Sequence, residues 1–112
     1  MLNVLVSNTD DHLRNHGFLL EPGRGWRLSP AYDMNPVPDS AGLKLNISEH
    51  DNALDLGLVL SVAPYFRVSE VEAQTILRRC TSVVAQWRKV ASALKIPDRE
   101  QDDMARAFRL AA

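Results

Sequence analysis

Asn8-Thr9-Asp10-Asp11-His12-Leu13-Arg14-Asn15, followed by Ser29-Pro30-Ala31-Tyr32-Asp33, is the stretch around which this chain is organised. Asp10 and Asn15 stand five apart in what reads as a tight polar loop, and Asp33 lies 23 residues beyond Asp10, just after a run containing Trp26. One carboxylate can accept a proton from an attacking hydroxyl. An amide oxygen and a second carboxylate supply hard oxygen ligands for magnesium, and the three together are the inventory of a phosphoryl-transfer site. Turn chemistry is the competing explanation, because Asp and Asn recur in turns through local hydrogen bonding alone and a bare D-x-x-x-x-N is a common pattern.

Working outward, Met1 to Ser7 is apolar and abrupt, with no capping residue or turn signal in front, and reads as the tail of an element whose beginning is absent. Gly17 to Leu20 and Trp26 to Leu28 are short apolar runs separated by Glu21-Pro22-Gly23-Arg24-Gly25, a turn cluster that predicts a β-hairpin. Antiparallel pairing would bring the residues flanking the two strands together, so Asn15 and Asp33 can converge. Pro30, Pro36 and Pro38 keep the following chain irregular and place Asp33 in a loop. Leu43, Leu45 and Ile47 alternate with Lys44 and Asn46, which reads as a short third strand or extended segment.

From about Asn52 the pattern turns helical. Leu54, Leu58, Val59, Val62, Ala63 and Phe66 recur at helical spacing, with Pro64 bending or ending that helix before Arg67-Val68. Ser69 with Glu72 forms a capping box ahead of a stripe from Ala73 through Cys80 and Trp87 to Leu94. A single helix from Glu70 to Lys95 would run roughly 39 Å. Pro97 stops it, Asp98 with Gln101 offers another cap, and Met104, Ala105, Phe108 and Ala111 form a last amphipathic face. The resulting class is α+β, mainly α, with a small β-hairpin beside the polar loop and a helical bundle behind it.

The 112 residues make one domain, and 13 basic against 14 acidic side chains give no argument for a nucleic acid or an anionic membrane as a partner. Cys80 is the single cysteine, so no internal disulfide forms, and a reducing, cytoplasmic setting fits. No run approaches the roughly 18 apolar residues of a membrane span, and Met1 to Ser7 lacks the charge and length of a signal peptide.

The run Asn8-x-Asp10-x-His12-x-x-Asn15, with Pro30-x-Tyr32-Asp33 after it, resembles the catalytic and metal-binding segments of the HipA family of serine/threonine kinases, the toxins of bacterial toxin-antitoxin pairs. The resemblance implies a kinase-like C-terminal lobe, with residues 1-50 carrying the catalytic loop, hairpin and metal-binding loop, and residues 51-112 a helical subdomain. It implies Asp10 as the catalytic residue, His12, Asn15 and Asp33 as cofactor-binding residues, and Asn15 and Asp33 as ligands of Mg2+, with ATP as co-substrate. It further implies a HipB-like antitoxin and a protein substrate, such as an aminoacyl-tRNA synthetase, as partners. The glycine-rich phosphate loop, the nucleotide-anchoring lysine and the activating serine loop belong to an upstream lobe that this sequence does not show, so the isolated chain is expected to be inactive. The two alternatives are a non-catalytic helical module that docks a partner or self-associates through an uncovered apolar face, and a fragment of an aminoglycoside-type phosphotransferase. The latter's loop usually begins His-Gly-Asp, from which Asn8-Thr9-Asp10 departs.

Other polar residues have plainer readings. His12 and His16 are four apart, yet a zinc site wants a third ligand and a Glu beside the first His, whereas Asp11 precedes His12 and Leu13 follows it. His12 is expected to orient the loop by a hydrogen bond to backbone or carboxylate, and His16 to be a strand-edge residue. Arg14 and Lys44 are either phosphate contacts or solvated cations. Trp26 is expected to pack the hairpin, while Trp87 and Cys80 belong to the core stripe.

Overall fold

The computed structural model describes residues 1–39 and 41–112. A one-turn helix α1 (Leu2–Leu5) leads into the polar loop, which tightens into a 3-10 turn at Leu13–Asn15. Strands β1 (Phe18–Glu21) and β2 (Gly25–Leu28) then pair antiparallel, with Phe18 opposite Leu28 and Leu20 opposite Trp26. Gly23 and Gly25 have φ of 78° and 94°, a region that residues with a Cβ rarely enter, which is why the turn is glycine-rich. After an irregular stretch come α2 (Leu56–Val62), a 3-10 turn Ala63–Phe66, α3 (Glu70–Val84), α4 (Trp87–Ala93), α5 (Asp98–Met104) and a closing 3-10 segment Ala105–Ala111. The molecule is mainly helical with one small two-stranded sheet.

The core has two centres with α1 between them. Val4 packs with Leu43 and Val59, and its neighbour Leu5 packs with Val84 and Ala111. Consecutive residues of a helix point about 100° apart, so one turn can feed both clusters. Burying a leucine such as Leu5, which is fully enclosed, stabilises the fold by about 1.5–3 kcal/mol. The polar loop begins two residues after this anchor.

Four expectations need correction. The stripe from Ala73 to Leu94 is not one helix: it breaks at Ala85–Gln86 into α3 and α4. Gln86 turns its backbone N–H to the carbonyl of Val83 and its side-chain amide to that of Ser82, which tightens the last turn of α3. Trp87 leaves in a new direction and stacks on Phe108, ring centroids 4.4 Å apart, while Val83, Val90 and Leu94 of the same stripe stay exposed.

Leu43 to Ile47 does not form a third strand. Only Gly42 pairs with Ala53 there, and Leu43 is held instead by backbone N–H to the Asn52 carbonyl at 2.9 Å and by the Asn52 side-chain amide to its own carbonyl at 2.6 Å. Asp98 with Gln101 makes no cap, because Pro97 is the N-cap of α5 and makes no side-chain bond. Buried Gln101 donates instead to the Ile96 carbonyl and the Ser92 hydroxyl, tying α5 to the end of α4. Trp26 does not pack the hairpin: with Phe18, Leu20 and Leu28 it forms one apolar face that stays open, each residue 59% or more exposed.

Other expectations hold. The Ser69–Glu72 capping box is complete. α2 ends at Val62, and the chain turns at Arg67, whose φ of 58° closes it with Val68 N–H on the Ala63 carbonyl.

Candidate active site

The hairpin gathers the site. Beyond its last strand pair the ladder continues with Ser29 N–H donating to the Gly17 carbonyl at 2.8 Å. The Tyr32 hydroxyl reaches back to the Arg14 carbonyl at 2.9 Å. These two bonds bring the segment 29–33 alongside the 3-10 turn, and Asn15 Nδ2 donates to Asp33 Oδ2 at 2.8 Å across 18 positions. Asn15 is buried and Asp33 exposed, so the pair lies at the surface with its amide end fixed.

Asp33 has a φ of 56°, in the left-handed region that few residues other than Gly, Asn and Asp enter. Backbone of this kind persists where neighbours enforce it, and here the second Asp33 oxygen accepts from Asn35 Nδ2 at 2.7 Å. Both carboxylate oxygens thus face amide donors. Asn15 uses its nitrogen for this bond, which leaves its carbonyl oxygen for another partner. A carboxylate and an amide oxygen on two loops are donors of the kind magnesium takes.

Asp10 stands apart from that pair. Its Oδ1 is on the Lys44 ammonium, and the hydrogen bond and positive charge of Lys44 hold the Asp10 carboxyl below the usual carboxylate range. Asp11 turns the other way. Its side chain is nearly enclosed, accepting from Asn3 Nδ2 at 2.7 Å and meeting His16 Nε2 at 3.1 Å. Asn8 extends this network by donating to Asn3 Oδ1 at 3.0 Å. His16 is therefore part of a loop-bracing cluster and not merely a strand-edge residue. His12 is half-buried, and its Nδ1 has no hydrogen-bond partner among the described residues, which differs from the orienting bond expected of it. Among the described residues no group of three or more His, Cys, Asp or Glu is placed to hold a metal ion.

Residues 1–109 match the HipA-like C-terminal domain. The chain belongs to that family. No curated protein and no solved structure matches it. No helix among the described residues is long and apolar enough to cross a membrane.

In this HipA-like domain the most enclosed polar residue of the loop is one that sequence reasoning passed over. Ser7, with no exposed surface and a φ of 51°, donates its hydroxyl to the Ala107 carbonyl at 2.8 Å and accepts from Arg109 Nη1 at 3.2 Å. Its own carbonyl accepts from Val37 N–H at 3.1 Å. One serine thus ties the start of the polar loop to the C-terminal segment and to the loop behind Asp33. No sequence signal marks it, since its partners lie 100 and 102 positions away. Asn35 and Asn3 were also missed, although their partners are near in sequence, at Asp33 for Asn35 and at Asn8 and Asp11 for Asn3.

A cavity of about 510 Å³ lies beneath the loop, bordered by Val4, Leu43 and Val59 with Asp11 and His16 at its rim. Asp10, Asn15 and Asp33 are outside it. The candidate site lies on the surface, with Asp10 and Asp33 exposed and Asn15 buried.

Proposed function

We propose that this HipA-like domain is the C-terminal catalytic part of a protein serine/threonine kinase, the toxin of a toxin-antitoxin pair, which transfers the γ-phosphoryl group of ATP to a protein hydroxyl. Supporting it are the family match and one contact, Asn15 on Asp33, which joins two separately predicted loops. In this reading Asp10 orients the attacking hydroxyl and takes its proton. Asn15 Oδ1 and the Asp33 carboxylate would hold Mg2+, which when bound neutralises charge on the phosphates. Asn35 would keep Asp33 in its left-handed conformation when Asn15 turns its oxygen toward the ion. His12 would join the nucleotide-facing residues of the loop, and the loop and hairpin of residues 1-50 would be carried by the helices of residues 51-112. The nucleotide-anchoring lobe, a HipB-like antitoxin and a protein substrate complete the proposal as partners; the chain alone is not expected to turn over.

Paramagnetic Mn2+ in place of Mg2+ tests the site in the chain as it stands. Broadening of the Asn15 side-chain amide signals in the wild type, and its loss in Asp33→Ala, is the expected result. Broadening that spares Asn15, or that persists unchanged in Asp33→Ala, would remove the basis for the assignment.

A second reading is favoured by one observation, the open apolar face of Phe18, Leu20, Trp26 and Leu28. Contiguous apolar surface of this kind marks docking. A non-catalytic module would bind its partner through that face and lose binding in Trp26→Glu, while Asp33→Ala changed nothing.

A further inference from the structure

We propose that Lys44 is a further residue of the transfer site, holding Asp10 by one oxygen and presenting its other N–H donors to the terminal phosphate of the bound triphosphate. The proposal rests on the phosphotransfer reading above.

Three observations carry it. The Lys44 ammonium sits on Asp10 Oδ1, and among the described residues nothing donates to Oδ2. An ammonium has three donors, so two remain when one is used. Second, Lys44 is not placed there by the ion pair. Leu43 beside it is buried against Val4 and Val59, and two bonds to Asn52 fix the Leu43 peptide. An exposed pair contributes little stability and does not by itself position a chain, but here core packing sets the root of the lysine and only the stem is free. Third, both side chains are well exposed, 59% for Lys44 and 64% for Asp10, and so are open to a ligand arriving from solvent.

The chemistry follows from that arrangement. Asp10 Oδ2 accepts the proton of the attacking hydroxyl as its oxygen forms a bond to the γ-phosphorus. The bond from that phosphorus to the β–γ bridging oxygen breaks, and its electron pair leaves with the nucleoside diphosphate. Negative charge on the γ-phosphoryl oxygens lies opposite the free Lys44 donors, while the proton now on Asp10 weakens the hold of the carboxyl on Lys44. One cation thereby steadies the base before transfer and the phosphoryl group during it.

The test uses the full chain with magnesium tripolyphosphate, a probe with no base or sugar and so no demand on a nucleotide pocket. Side-chain NMR signals of Lys44 and Asn15 are followed in wild type, Lys44→Met and Lys44→Arg. The proposal expects both residues to shift in the wild type, affinity to fall about tenfold in Lys44→Met through loss of a charge-assisted bond, and Lys44→Arg to restore most of it. A shift at Asn15 alone, with Lys44→Met binding as well as wild type, would overturn the role of Lys44 and leave the phosphotransfer reading standing. No shift at either residue would overturn both. Lys44 is on the surface, so thermal unfolding of the two variants is expected to match wild type and to separate binding from folding.

Discussion

Asp10 and Ser7 show how differently two residues of one loop are held. Asp10 is exposed and its carboxyl is lowered by the Lys44 hydrogen bond and charge. A lowered folded pKa gives a contribution that is present above the ordinary aspartate value of about 3.9 and is lost as pH falls through the folded value. In Lys44→Met, a ¹³C carboxyl titration of Asp10 is expected to move up toward the ordinary value, with its shape otherwise unchanged; an unmoved midpoint would mean that the pair does not persist in solution. Ser7 is the opposite case, fully enclosed and joined to Ala107 and Arg109. Ser7→Ala leaves the Ala107 carbonyl without its hydroxyl donor and is expected to cost about 1–3 kcal/mol, read as a lower urea midpoint at constant slope. The Asn15–Asp33 contact was legible in the sequence through the predicted hairpin that brings its flanking residues together, whereas the spacing of Asp10 and Asn15 alone is equally the spacing of turn chemistry. Ser7 was not, because it acquires its role only from partners that folding delivers from 100 and 102 positions away.

Helices and hairpin were read with uneven success, and the unevenness has a physical origin. The α3 start was legible because both capping bonds lie within four residues, Ser69 to Glu72 and back. Ser69→Ala is expected to cost about 1 kcal/mol in a thermal or urea melt. The Ser69 backbone N–H and hydroxyl also lower the Glu72 carboxyl, so this cap weakens only as pH drops below the ordinary glutamate value of about 4.3 and passes through the lowered one. The break between α3 and α4 was illegible because the apolar repeat runs straight through Ala85–Gln86, and what redirects the chain is the Trp87–Phe108 stack across 21 positions. The two tryptophans therefore differ in consequence. Trp87→Ala removes the ring that stacks on Phe108 and lies 4.6 Å beneath the Arg88 guanidinium, and is expected to cost about 3 kcal/mol, whereas Trp26→Ala, on the open hairpin face, should leave the unfolding midpoint nearly unchanged. Equal losses from both variants would show that the hairpin face is covered in solution.

Across the whole molecule, the candidate site is suspended from the two ends of the chain. The extents of 47 × 34 × 25 Å and radius of gyration of 15.6 Å exceed the roughly 13 Å of a compact domain this size, so one core cannot brace everything. The loop's support is concentrated instead in α1, whose Leu5 meets Ala111 and whose following Ser7 meets Ala107, both in the C-terminal 3-10 segment. Only the helical spacing of Ala105, Phe108 and Ala111 hinted at this in the sequence, and it could not say which element they cover. Removing residues 105–112 exposes Leu5 and frees the Ser7 hydroxyl while leaving Asp10, Asn15 and Asp33 chemically intact. Amide exchange is the direct readout, because backbone protection reports local opening. The shortened chain is expected to lose protection in α1 and from Ser7 to Asn15, while α3 keeps its capped start. Mn2+ broadening at Asn15 should weaken in parallel, since its partner Asp33 is aligned through Ser29, Tyr32 and Val37 onto that same loop. Retained protection from Ser7 to Asn15 after the truncation would show that the hairpin alone holds the loop, and that the C-terminal segment serves the helices only.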